Sequence, residues 1–361
     1  MQIARPQPLT KGQLPVAGEE QELVARVRAL KAGLGPELLI LTHHYQRPEI
    51  VDLGDFRGDS FGLSRKSAAD REARFIVFCG VHFMAESAAI LSRPHQVVQL
   101  PDLRAGCQMA DMAAMGEVEA AWEELRDVAG GPMVPIVYMN SEAALKAFCG
   151  RHGGCVCTSS NARAALSWGL SAAPKVFFFP DQHLGRNTGN QLGLGPEDMV
   201  VWDPDQPLGG LSPEALRRAR LILWDGYCHV HTRFQVEHVR RMKAAFPGAL
   251  VVVHPECTQE VVALADGCGS TGFIVNYVQQ APPGATIIIG TEINLVRRLA
   301  REHPDKQVLD LAYSLCPNMF RINLENLLWT LENVGQVNVV TVREDFEAEA
   351  RLALDRMLAL A

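Results

Sequence analysis

The sequence predicts an α/β fold made of three segments, each built on a small parallel sheet. Three observations predict it. Short apolar runs recur along the whole chain as continuous Val/Ile/Leu/Phe stretches rather than alternating ones, the mark of strands covered on both faces. Helical patterns lie between many of them, and strand–helix alternation means βαβ units. Polar residues fall almost entirely at the carboxyl ends of the strand runs, the edge at which open α/β sheets bind ligands.

In chain order, residues 1–20 read as a loose lead-in, followed by a helix near Glu19–Leu34. Strand runs follow at Glu37–Tyr45, Arg74–Phe83, Gln96–Pro101, Met133–Asn140, Gly154–Ser160, Lys175–Gln182, Met199–Asp203, Arg220–Tyr227, Ala249–Glu256, Gly272–Tyr277, Thr286–Glu292 and Gln307–Ala312. Helical patterns occupy Ser64–Glu72, Ala85–Leu91, Ser141–Phe148, Ala162–Trp168, Val236–Ala245 and Gln259–Ala265, with a helical tail at Glu347–Ala361. Breaks near Gly116–Met133 and Asp203–Pro213 divide the chain into segments carrying about four strands each, a typical sheet size. No strong residue-level repeat accompanies the division. The expected domains are 21–127 with 317–361, 128–215 and 216–316.

Composition narrows the function classes. The 361 residues are 48% hydrophobic and 21% charged, too apolar for a disordered chain. A net charge of −7 without a long Lys/Arg run makes nucleic-acid binding a poor expectation, so an anionic ligand needs local donors. No apolar run approaches the roughly 18 residues of a membrane span, and the first residues lack a secretory apolar core. No membrane and a cytoplasmic location are the expectation.

Nine cysteines, an odd number with no CxxC pair, argue against a disulfide framework, a zinc ribbon or a thioredoxin motif. Cys79, Cys149, Cys155 and Cys157 read as small buried apolar residues. Taken alone, Cys107, Cys228 and Cys316 leave a structural role, a Cys₃ zinc site or a cluster open.

Strand ends carry His43–His44–Tyr45, Gly80–Val81–His82, Tyr138–Met139–Asn140, Thr158–Ser159–Ser160–Asn161, Pro180–Asp181–Gln182–His183, His254–Pro255–Glu256 and Gly290–Thr291–Glu292. Ser, Asn and Asp there also serve as helix N-caps. His, Tyr and Glu are poor caps, and their number favours one shared site.

Eleven blocks then resemble the quinolinate synthases, the iron–sulfur enzymes of NAD biosynthesis. They are HHYQRPEIVDLGDFRGDS (43–60), FCGVHFMAESAAIL (78–91), PDLRAGCQMADM (101–112), VYMNS (137–141), CTSSNA (157–162), FFPDQHLGRN (178–187), GYCHVHTRF (226–234), HPEC (254–257), GST (269–271), GTE (290–292) and CPNM (316–319). The resemblance implies three αβα domains around a pseudo-threefold axis with a 4Fe-4S cluster held by Cys107, Cys228 and Cys316. Three thiolates on four irons would leave one iron open, suited to Lewis-acid chemistry. It implies condensation of iminoaspartate with dihydroxyacetone phosphate to quinolinate, with loss of phosphate and two waters, and a functional coupling to L-aspartate oxidase. By position, Ser60, Ser159 and Ser270–Thr271 match substrate-binding residues. His43, Tyr45, Tyr138, His254 and Glu256 match residues for binding and proton transfer. Glu256 is expected to be the base, its pKa raised by a dry site. Tyr45 would shuttle protons, His43 and His254 would bind carboxylate or phosphate, Tyr138 and Asn140 would orient the intermediate, and His231 would face cluster or substrate. His229 would hydrogen-bond a cluster sulfur or face solvent, the second being the favoured reading. His44 departs from the family pattern and receives no role. Cys257 and Cys268 are read as wall residues. An aconitase-type hydro-lyase and a cluster-bearing redox sensor or cluster carrier without substrate are the competing readings. The first would not require the HPEC, GST and PDQHLGRN blocks, and the second predicts no pocket of strand-end His, Tyr and Glu.

Overall fold

The computed structural model describes residues 17–360, so most of the expected lead-in, residues 1–16, lies outside the described residues. It contains three all-parallel sheets flanked by helices, of four, five and four strands. Contacts group the chain into two compact units. One comprises the chain up to Cys107 together with Cys316–Val342; the other comprises Gln108–Leu315 and the chain from Arg343 onward.

The first unit holds β1 (Leu38–His43), β2 (Phe56–Gly58), β3 (Phe75–Cys79) and β4 (Val97–Gln99), in the order β2-β1-β3-β4. Every residue of β1 and β3 is buried, as continuous apolar runs require of a sheet covered on both faces. β2 is a short edge strand with two exposed residues, which is why no apolar run announces it. Asp59 caps the helix Ser60–Ala69 by accepting the Gly62 N–H at 2.8 Å. The helix Ala17–Leu34, whose first residues fall within the expected lead-in, packs on Leu324–Glu332 and joins it through an Arg26–Glu332 ion pair.

The second unit holds two sheets. β5 (Met133–Tyr138), β6 (Cys155–Cys157), β7 (Lys175–Phe179), β8 (Met199–Trp202) and β9 (Leu221–Trp224) run in the order β6-β5-β7-β9-β8. β9 pairs with both β7 and β8, so this sheet has five strands rather than about four and continues past the break expected at Asp203–Pro213. A polar, Gly/Pro-rich loop marks a turn at the surface; it does not tell whether the next strand rejoins the same sheet. Likewise the break expected near Gly116–Met133 contains a 14-residue helix, Met115–Val128.

The remaining strands, β10 (Leu250–Val253), β11 (Gly267–Cys268), β12 (Thr286–Gly290) and β13 (Gln307–Asp310), run β11-β10-β12-β13. The run Gly272–Tyr277, expected as a strand, lies inside the helix Thr271–Gln280. Its apolar residues Ile274 and Val278 are buried four apart, and Ser270 caps the helix at the Phe273 N–H. Without those flanks a six-residue apolar run cannot be told from a strand.

The final helix, Glu344–Ala359, packs on Ala143–Arg151 within the second unit. Gly150 permits the approach, because a Cβ there would overlap the Glu349 carbonyl. Arg151 binds the Glu349 carboxylate at 3.0 Å, and Asn161 Nδ2 donates to Met357 O at 3.1 Å. Gly150→Ala should therefore destabilise the protein by about 1–3 kcal/mol, outweighing the ~1 kcal/mol gain in helix propensity. Thermal unfolding checks this; an unchanged Tm would show that the tail helix gives way.

Candidate functional site

In each unit the candidate side chains lie at strand ends. In the first, His43 closes β1 and Tyr45 follows it; His43 Nδ1 accepts the Tyr45 N–H at 3.2 Å, and the two rings meet edge-on at 4.9 Å. Both side chains are buried, as is His44. Ser60, the first residue of its helix, lies just beyond β2, whose last residue, Gly58, accepts the His44 N–H at 3.2 Å. Cys107 ends the first segment of this unit and Cys316 begins its second. Both are partly exposed.

In the second unit a polar group is assembled from both sheets. Tyr138 ends β5; Asp181 follows β7, Cys228 and His231 follow β9, His254 and Glu256 follow β10, and Thr291 follows β12. Glu256 Oε2 lies 2.6 Å from His231 Nδ1 and 3.7 Å from His254 Nδ1. The two imidazoles stack at 4.4 Å with 19° between their planes. His231 Nε2 lies 3.2 Å from Thr291 Oγ1. Ligand atoms of Cys228, His231 and Glu256 all fall within 4.8 Å of one another.

Electrostatics revises the expectation for Glu256. Burial alone would raise its pKa, but His254, His231 and hydrogen bonds from His231 and Tyr138 hold it down to about 2. The carboxylate is thus ionised throughout the neutral range. Because the folded value is depressed below the ordinary 4.5, this pairing stabilises the fold above that pH and is lost as pH falls toward 2. Asp181 behaves oppositely. Burial and the neighbouring Glu256 push its pKa well above the carboxylate range, and backbone N–H groups of Leu184, His183 and Cys228 only partly offset them. Two buried carboxyls with pKa values driven apart form an acid and a base side by side.

The other expected residues are placed more loosely. Asn140 has an enclosed Oδ1 with no hydrogen-bond partner among the described residues. Ser159 is partly exposed in the turn after β6, which Asn161 brackets by accepting the Thr158 N–H at 2.8 Å. Ser270 and Thr271 are buried at a helix start. His229 is partly exposed with an enclosed Nε2, and burial lowers its pKa. Asp181 and Thr291 belong to strand-end groups visible in the sequence without a role for either; Asn187 closes the FFPDQHLGRN block, likewise without one.

The thiols sort by burial. Cys79, Cys149, Cys155, Cys157 and Cys257 are buried, and desolvation raises their pKa values, to about 12 for Cys79 and Cys155. Cys268 is partly exposed, yet burial of its thiol raises it to about 12 as well, and it packs beside Cys257 at the core of the third sheet. Those six favour the neutral thiol. Cys107, Cys228 and Cys316 are the remaining three, each partly exposed in a loop outside the strands and helices. A set of accessible thiols is the donor chemistry that an iron–sulfur cluster takes.

Among the described residues no helix is long and apolar enough to cross a membrane. The family model for quinolinate synthetase A protein matches residues 25–359. The chain is similar to quinolinate synthases from Nocardioides sp. (51% identity over 97% of this chain and 92% of the relative), Geobacillus kaustophilus (51%, 95% and 95%) and Acidobacterium capsulatum (52%, 93% and 92%). A match of this extent, on a chain whose strand ends carry that family's motifs, places the protein in the quinolinate synthase family as an enzyme of that type.

Proposed function

We propose that the enzyme condenses iminoaspartate with dihydroxyacetone phosphate, releasing phosphate and two waters to form quinolinate. The observation that carries this reading is the buried Glu256–His231–His254 group with the Tyr138 hydroxyl on the carboxylate and Cys228 within reach. Cys107, Cys228 and Cys316 would hold a 4Fe-4S cluster. With three protein thiolates the cluster would supply one open iron as a Lewis acid for dehydration.

The remaining steps fall to side chains. Glu256, ionised at neutral pH, accepts the proton removed next to the substrate carbonyl, and the adjoining histidines stabilise its charge until then. Tyr138 holds one carboxylate oxygen and, with the unpartnered Asn140 Oδ1, orients the intermediate. Tyr45, seated against His43, carries protons to and from the bound carbonyl or hydroxyl. Ser270 accepts the Phe273 N–H through a lone pair, which leaves its hydroxyl hydrogen for an anionic oxygen. Ser60, Ser159 and Thr271 supply like donors, and His43, His231 and His254 bind carboxylate or phosphate. Iminoaspartate hydrolyses in water, which favours its supply by L-aspartate oxidase nearby in the cytoplasm.

Anaerobic purification with iron and sulfide counts, followed by a quinolinate assay, tests the reading. About four irons and four sulfides per chain are expected, together with quinolinate from the two substrates. A fully loaded enzyme that makes none would overturn it.

A further inference from the structure

The turn and helix after β7 grip both loops of the centre in the second unit. Asp181 Oδ1 accepts the Leu184 N–H at 2.7 Å and so caps the helix Gln182–Gln191. The same residue bridges to Gly226 on the cysteine loop, where Gln182 N donates to Gly226 O at 2.9 Å. The Cys228 N–H lies near enough to the Asp181 carboxyl to act on it electrostatically, while Asp181 Oδ2 has no hydrogen-bond partner among the described residues. Gly226 allows this approach, since a Cβ there would overlap the Pro180 carbonyl. Asn187, six residues further along the helix, is buried. Its amide donates to Pro255 O and to Cys257 O, each at 2.8 Å. Those carbonyls flank Glu256, and both amide hydrogens are used. Gly185 lets the helix lie flush on β7 and β9, where a Cβ would overlap Leu223 and crowd Phe178.

We propose that this helix is a rigid spacer between the Cys228 loop and the Glu256 loop, with Asp181 and Asn187 as its positioning residues. The two loops leave different sheets, and loops drift more than the elements that carry them. Six helical residues span about 9 Å with little give. An error of 1 Å in such placement can cost ~10²-fold in rate. The inference rests on Glu256 acting as base and Cys228 as ligand.

Two arms test it on the full-length enzyme. Asn187→Leu keeps the side-chain size and removes both donors. It should retain the iron and sulfide content and the visible spectrum, lose about 10–100-fold in kcat per cluster, and change KM by less than about threefold. A variant that only folds poorly would lose cluster and activity together, leaving kcat per cluster at the wild-type value; that result, or an unchanged kcat, overturns the spacer. The second arm needs neither turnover nor cluster. In the cluster-free chain, alkylation of Cys228 followed by peptide mass should be about tenfold faster in Asp181→Leu than in wild type. Asp181→Asn, which keeps an acceptor oxygen, should stay within about twofold. Equal rates in all three chains overturn the proposal. If wild type with a full cluster makes no quinolinate, the proposed reaction fails, and the alkylation arm still decides the spacer.

Discussion

Glu256→Gln should lower turnover by about 10²- to 10⁴-fold, the usual cost of losing a general base, while iron and sulfide content stay at the wild-type level. The amide has the carboxylate's shape and keeps an oxygen for the Tyr138 hydroxyl, so the local packing should survive. What it lacks is the charge. In the native protein two histidines and a tyrosine hold the carboxylate ionised in a site where burial alone would protonate it. The neutral amide would leave the stacked His231 and His254 without the adjoining carboxylate and the substrate without a proton acceptor. The loss should fall on kcat more than on KM, because an ionised base acts when the proton leaves. Steady-state quinolinate formation alongside metal analysis checks this. Turnover within tenfold of wild type would remove Glu256 from the role of base.

Cys228→Ser should lose both cluster and activity, and Cys107→Ser and Cys316→Ser should do the same. Serine replaces a soft thiolate by a hydroxyl that stays protonated at neutral pH, so the iron would lose a ligand while the side chain keeps nearly the same volume. The informative contrast is Cys268→Ala. Cys268 is also partly exposed, yet its thiol is raised to about 12 and it packs beside Cys257 on the third sheet's core. That variant should keep its cluster and at least about half of its activity, losing only the ~1 kcal/mol expected of a small truncation near the core. Iron and sulfide counts, the visible spectrum and turnover separate the two classes. A full iron load with normal turnover in Cys228→Ser would disprove the ligand assignment.

Much of the fold was legible because parallel strands buried on both faces write themselves as unbroken apolar runs. β1, β3, β5, β7, β9, β10 and β12 were visible for that reason. β2 and β11 were not, because a three-residue edge strand and a Gly–Cys pair have no such run. The Gly272–Tyr277 segment went the other way. Its apolar residues suit either element, and the Ser270 cap decided for a helix. At the site, residue types were legible and their state was not. His254–Pro255–Glu256 stood out at a strand end as a candidate turn. A dry environment correctly suggested that burial pushes Glu256 upward, but the opposing interactions come from His231, twenty-five residues earlier, and from His254 turned onto the same carboxylate. Asp181 received the raised pKa instead, because it has the burial without a cation.

The amino-acid order alone determined the α/β class, the strand-end position of the candidate side chains and the family, since each depends on local periodicity or on motifs read in line. Only the tertiary structure decided that β9 completes the five-stranded sheet, that Glu256 is ionised beside a neutral-leaning Asp181, and that Asn187 holds the loop of a different sheet. Strand pairing and electrostatic fields are set by residues distant in the chain and adjacent in space, and no local pattern encodes them.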